Sequence, residues 1–257
     1  MDSVARRDRL VLAIQRRTSH LFFPIVAFTA LFWARVVKRL SLKEPDRIRT
    51  RFAELLGAEP GPVLICANHL TLLDTVIIVW ALAPLRRYLM HYSLFPWSVP
   101  EKANFSRTWF WRVASFLGKC VYVTRGGPRE EVKRTLGKIA YLLRAGELVS
   151  IFPEGGRSRT ARVDTENFTY GVGQIVLAVP ETRVLCLYLR GRKQEGYTDY
   201  PHTGDEYSVE LEMLHPTTAA SGLRGARELA TQIIQKLAEM ERRYFADRER
   251  PGRSARA

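Results

Sequence analysis

An apolar run that breaks into a histidine-bearing turn and resumes as a helix most limits what this chain can become. Gly61-Pro62 introduces Val63-Leu64-Ile65-Cys66-Ala67, a short stretch suited to a buried strand. Asn68-His69-Leu70-Thr71 follows, and a helical stretch runs from about Leu73 to Ala83, ending before Pro84. The alternation then recurs. Tyr88–Tyr92 reads as a strand and residues 93–106 as a loop. A helix near Arg107–Leu117 leads to a strand at Cys120–Thr124, which Gly126-Gly127-Pro128 breaks. Val132, Leu136, Ile139 and Leu143 share one face of a helix that Gly146 ends. Leu148–Phe152 and Val184–Leu189 are further strands. Tyr207, Val209, Leu211 and Met213 alternate with polar residues, as in a half-exposed strand over Tyr207–Leu214. Leu229, Ile233, Leu237, Met240 and Tyr244 line a closing amphipathic helix. Strands alternating with helices predict an α/β fold, a central mostly parallel or mixed sheet flanked by helices.

The 257 residues are 46% hydrophobic and 26% charged, which excludes a disordered, collagen-like or polytopic membrane chain. The length supports one large domain, or one domain with appendages. Cys66, Cys120 and Cys186 are too few and scattered for a disulfide framework or a zinc site. No cleavable signal peptide is evident, so the expected setting is reducing and cytoplasmic.

A net charge of +14 calls for an anionic partner. Half of it lies in residues 1–43, where Arg6, Arg7, Arg9, Arg16, Arg17, Arg35, Lys38, Arg39 and Lys43 face only Asp2 and Asp8. Between Arg17 and Arg35 stand 17 uncharged residues, among them Phe22, Phe23, Phe28, Phe32 and Trp33. A span needs about 17–25 apolar residues, so this run is at the lower limit. Both flanks are basic and give no positive-inside asymmetry. Residues 18–40 are therefore expected to lie in or dip into one leaflet on the cytoplasmic face, with Arg and Lys meeting anionic head groups and Pro24 in the first helical turn. A single span and a buried soluble helix are the alternatives. No nucleic-acid motif accompanies the charge, so nucleic acid is not an expected partner. Residues 247–257 are Arg-rich without periodicity and are expected to be disordered.

Three segments at expected strand ends carry chemistry, where open α/β sheets bind ligands. His69 and Asp74 are five apart, about 140° around a regular helix, which would not pair them. A strand-to-helix turn would, leaving one imidazole nitrogen free as a general base. The plainer alternative is a satisfied histidine with a helix-capping aspartate. Phe152-Pro153-Glu154-Gly155-Gly156-Arg157-Ser158 offers glycines for close backbone approach and a guanidinium fork for phosphate or carboxylate. Arg125 ends a strand before two glycines. Cys66 is expected in the core, and no histidine shows metal-ligand spacing. Trp109-Phe110-Trp111 reads as core or membrane-facing.

Together these segments resemble the glycerophospholipid acyltransferase family, typified by bacterial 1-acylglycerol-3-phosphate acyltransferases, over about residues 60–191. Asn68-His69…Asp74 is similar to its Asn-His-x4-Asp motif, and Lys119–Arg125 to its second motif. Phe152–Ser158 resembles Phe-Pro-Glu-Gly-Thr-Arg-Ser, with Gly156 in place of Thr. The resemblance implies a catalytic His69–Asp74 dyad. It implies an acceptor site that includes Asn68, Arg125, Glu154, Gly155, Arg157 and Ser158. It also implies a membrane-docking arm over residues 1–45 ahead of an acyltransferase domain over 46–246. The implied reaction moves a fatty acyl group from acyl-CoA or acyl-carrier protein to a lysophospholipid, foremost 1-acylglycerol-3-phosphate, with no metal and no cofactor beyond the donor. Two departures bear on the acceptor. Tyr170 stands before Gly171 where the family often has Lys, and Cys186 stands where its fourth motif has proline. An enzyme acting on another lysolipid or an aminolipid, and a non-catalytic membrane-binding protein, are the alternatives.

Overall fold

The computed structural model describes residues 4–106 and 108–249. Six strands form one sheet: β1 (Ser41–Leu42), β2 (Val63–Ala67), β3 (Trp97–Ser98), β4 (Val149–Ile151), β5 (Arg183–Gly191) and β6 (Glu206–Leu214). Their order is β1-β6-β5-β2-β4-β3, and every neighbouring pair is parallel except β5 with β6. The sheet is thus mostly parallel and mixed, as the alternation predicts.

Strand alternation divides the core in two. Leu64 and Cys66 of β2 pack with Val184 and Cys186 of β5 beneath α7 (Arg129–Arg144), α8 (Gly171–Ala178) and α9 (Gly222–Glu249), through Ile139, Leu143, Val176 and Leu237. Val63, Ile65 and Ala67 face α2 (Pro45–Gly57) and α3 (Asp74–Leu82), through Phe52, Ile77 and Leu82. Each fully buried Val, Leu, Ile or Phe among them contributes about 1.5–3 kcal/mol. Gly146, at φ +77°, lies just past α7 and supplies the left-handed residue that stops it.

Several local expectations give way to tertiary packing. Tyr88–Tyr92 is no strand. α4 (Leu85–Met90) runs into a 3₁₀ turn at Tyr92–Leu94, because Tyr88, Tyr92 and Phe95 gather under Phe23. The expected loop 93–106 holds β3 and α5 (Lys102–Phe105). Cys120–Thr124 meets the sheet edge only through single bridges at Cys120 and Val123. The helix near 107–117 is α6, Trp109–Leu117; position 107 lies outside the described residues. The closing helix continues through residues 247–249, and the rest of the expected tail lies outside the described residues.

The amino-terminal arm is one helix, α1 (Arg6–Phe32), prolonged by a π-helical turn at Trp33–Val37. It starts earlier than expected and places Pro24 in its interior rather than its first turn. The cause is a docking stripe, Asp8, Leu12, Gln15, Ser19 and Phe23, spaced for one helix face. Asp8 meets Arg134 at 2.6 Å and Lys138 at 3.3 Å. Gln15 donates to the carbonyls of Phe116 and Cys120, and Ser19 to that of Leu117. Arg16 reaches Glu147 at 2.6 Å, and Glu147 also holds the fully buried Lys119 at 2.6 Å and the Trp97 indole at 2.8 Å. Burial pushes the Glu147 carboxyl up, but Lys119, Trp97 and Arg16 together outweigh it and hold it below its usual range. The opposite face exposes Leu21, Ile25, Phe28 and Phe32, and α6 beside it exposes Trp109, Phe110 and Trp111, which are therefore not core.

Candidate active site

β2 ends at Ala67, and the chain must turn sharply before α3 begins at Asp74. Asn68 anchors this turn from behind. Its amide donates to the Leu189 carbonyl at 3.0 Å and accepts the Leu189 N–H at 2.8 Å, which ties β2 to β5. The turn then folds back on Asp74. One carboxylate oxygen accepts the N–H groups of Leu70 at 2.6 Å and Thr71 at 2.8 Å and lies 2.9 Å from His69 Nδ1. The other accepts the Thr71 hydroxyl at 2.6 Å. Four donors thus fix a carboxylate with no solvent exposure.

That carboxylate sets the imidazole. It can only accept, so Nδ1 carries the proton and Nε2 presents a lone pair. No hydrogen bond engages Nε2 among the described residues, and the His69 side chain keeps 18% of its surface open. The Phe152 ring stacks on the imidazole, 4.0 Å between centroids and 11° from parallel, and covers one face of it.

Glu154 and Gly155 arrive from the adjacent strand end, after β4. Glu154 Oε1 accepts the His69 backbone N–H at 2.9 Å, and Ser158 N–H donates to the His69 carbonyl at 2.9 Å. Burial pushes the Glu154 carboxyl up to about 8, against the backbone N–H groups of His69 and Asp164, and no geometrically good hydrogen bond reaches its second oxygen among the described residues. Gly155 sits at φ +72°, and a Cβ there would collide with Thr169, whose N–H and hydroxyl both donate to the Pro153 carbonyl. Only glycine closes this turn.

The two arginines flank the turn and are each held by a carboxylate. Arg125 pairs with Glu101 at 3.0 Å, and its guanidinium lies beside Gly156, 3.7 Å from where a Cβ would stand. Arg157 pairs with Asp199 and lies over the Tyr197 ring. The Arg157 hydrogen bond holds the Asp199 carboxyl below its usual range. The Asp199 carbonyl accepts the Leu72 N–H at 3.0 Å, which ties this pair to the dyad turn. The Ser158 hydroxyl donates to the Arg162 carbonyl and shapes its own loop.

Thr71, Phe152 and Tyr207 are additions to the residues singled out from sequence. Thr71 and Phe152 lie inside the segments already noted, and their types gave no separate signal. The fully buried Tyr207 comes from β6, and its burial raises the phenol under the added charges of Asp74 and Asp205. Nothing near it in sequence marks it. Cys66 is fully buried in register with Cys186, and burial pushes its thiol well up, which leaves it core.

An Asp-held histidine at the strand ends of an α/β sheet has the geometry of a general base placed where such sheets bind ligands. The acyltransferase family model matches residues 42–203, most of the chain, and the protein belongs to that family. It is an enzyme of acyl transfer, which sets aside the non-catalytic alternative. No curated protein matches the chain.

Proposed function

We propose that this acyltransferase moves a fatty acyl group from the thioester of acyl-CoA or acyl-carrier protein to the hydroxyl of a lysophospholipid, foremost 1-acylglycerol-3-phosphate, in phospholipid biosynthesis. The observation that carries it is the 2.9 Å contact of His69 with a four-fold hydrogen-bonded Asp74, which leaves Nε2 unengaged. Nε2 takes the proton of the acceptor hydroxyl as its oxygen attacks the thioester carbonyl. Asp74 stabilises the imidazolium that forms. Collapse of the tetrahedral intermediate breaks the carbon–sulfur bond, and the imidazolium returns its proton to the leaving thiolate. No covalent acyl-enzyme is needed. Arg125 and Arg157 receive the acceptor phosphate, which displaces Glu101 and Asp199 from their guanidinium forks. Glu154, Gly155, Asn68 and Ser158 hold the two turns in register around the acceptor.

The reaction takes place at the membrane surface, with residues 1–45 as the docking arm of a domain over 46–246. Arg6–Val37 is long and apolar enough to cross a membrane. Polar bonds from Asp8 to Ser19 nevertheless clasp its first half to the domain. The remainder, residues 24–37, which meets the domain through apolar packing of Ala27, Trp33 and Ala34, measures about 21 Å at 1.5 Å per residue, short of the roughly 30 Å hydrocarbon core. These facts favour a helix lying in one leaflet.

A panel of lysolipid acceptors with labelled acyl-CoA and acyl-carrier protein, read by mass spectrometry, tests the acceptor. The expected product is diacylglycerol phosphate, with Arg157→Ala raising KM for the phosphate-bearing acceptor more than for the donor. Tyr170, in the position of the usual Lys, favours a second reading. Acylation of another lysolipid or an aminolipid, with lysophosphatidate untouched, would establish it.

A further inference from the structure

A cavity of about 300 Å³ opens where the arm meets the domain. Arg35 from the π-helical turn and Arg49 from α2 line it, with Trp80, Leu40, Leu42 and Pro45. A second cavity, of about 190 Å³, lies at the opposite strand ends near Gly61 and Arg183, and neither touches the dyad.

The two arginines are poorly served by the protein. Arg35 is exposed, and no hydrogen bond or ion pair holds it among the described residues. Arg49 is largely covered; its Nε is buried without a partner among the described residues, and Nη1 reaches Asp46 only at 3.4 Å. A buried donor without an acceptor is costly, so an anion arriving here gains a prepaid contact. Glu44, just before α2, pairs with Arg47 at 2.8 Å. Arg39 and Lys43 add exposed positive charge nearby in the chain. Arg35 sits between Phe32 and Val36, and Phe32, Val36 and Val37 are all exposed. One site therefore joins a two-arginine pocket to an apolar strip, the two chemistries of a phospholipid.

We infer that this cavity is a head-group site for the phosphate of an anionic membrane phospholipid, distinct from the acceptor site. The inference rests on the membrane docking proposed above. The lipid phosphate bridges Arg35 and Arg49 while its acyl chains follow Phe32, Val36 and Val37 into the leaflet. The site then sets how deep the end of the arm sits, whereas the basic residues earlier on α1 give only diffuse attraction.

Vesicles of neutral galactolipid carrying either phosphatidylglycerol or oleate, matched in surface potential, separate phosphate recognition from charge. The full chain is expected to bind the phosphatidylglycerol vesicles about tenfold more tightly. Arg35→Gln/Arg49→Gln removes that preference, and Arg35→Gln alone, at an exposed position, reduces it without risk to the fold. Arg7→Gln/Arg17→Gln, with the same loss of charge on exposed turns of α1, weakens binding to both vesicles and keeps the preference. Equal binding of the wild type to both vesicles overturns the site but leaves docking intact. Equal loss of preference in both double variants does the same. Failure of the wild type to bind either vesicle overturns the docking reading and the site with it. Tight saturable binding of inorganic phosphate without vesicles assigns the cavity to a soluble ligand and overturns the lipid source.

Discussion

The bonds that shape the dyad turn span three to five residues, from Thr71, Leu70 and His69 to Asp74, whereas Gln15 and Ser19 reach partners about a hundred residues along the chain. Both regions bury charge and satisfy it. The turn satisfies Asp74 from within its own seven residues, through two backbone N–H groups and the His69 and Thr71 side chains, while Asn68, His69 and Leu72 seat it against Leu189, Glu154 and Asp199. The arm does so with side chains and carbonyls from α6, α7 and the Glu147 hub, so its geometry exists only once the domain has folded. The turn should therefore fail in chemistry when altered, and the arm in stability and placement.

The largest effect is expected in the turn. Asp74→Asn replaces an acceptor by an amide that can donate toward Nδ1 and favour the wrong tautomer. Turnover should fall by about 10²–10⁴-fold with the fold retained. A fall in thermal stability large enough to explain the loss would erase the contrast between the regions.

The arm gives the next effect. Glu147→Ala leaves the buried Lys119 ammonium without its carboxylate and releases Arg16. Removing one partner of a buried pair costs about 3–5 kcal/mol, measurable by urea unfolding. Residual activity per folded molecule should stay near wild type.

Glu154 sharpens the comparison through pH. Its folded value, about 8, lies above the ordinary 4.5. The native state therefore holds a proton that the unfolded state has lost between those values, and stability falls as pH rises through that window. The slope should reach at most about 1.4 kcal/mol per pH unit. Glu154→Gln should remove that component, so its unfolding free energy changes less from pH 5 to pH 8. A slope identical to wild type would place the titrating group elsewhere.

Thr71→Val is the smallest change. It takes the hydroxyl donor from the second Asp74 oxygen and should cost about 1–2 kcal/mol of stability, with a modest fall in turnover. Restoring the hydroxyl as Thr71→Ser should recover most of both.

The same contrast explains what the sequence made legible. The β2–turn–α3 unit, the amphipathic face of α7 and the alternating β6 are written in local periodicity, and the structure follows them. The dyad was readable because its partners lie five residues apart. The helical arm extends to Arg6 because Asp8, Gln15 and Ser19 find partners on α7 and α6, which no local pattern announces. Tyr88–Tyr92 has the aromatic content of a strand, yet packing under Phe23 makes it helical. β1 and β3, two residues each, are too short to leave a period. Tyr207 comes under the dyad only through the antiparallel pairing of β6 with β5.

The account turns on His69 and Asp74 acting as one unit. Acyl transfer to a lysophospholipid should be measured for His69→Ala, Asp74→Asn and the double variant, each shown to be folded and vesicle-bound. The double variant is expected to be no slower than His69→Ala alone, because an aspartate that works only through the imidazole has nothing left to orient. Losses that multiply, or a His69→Ala enzyme as fast as wild type, would contradict the dyad.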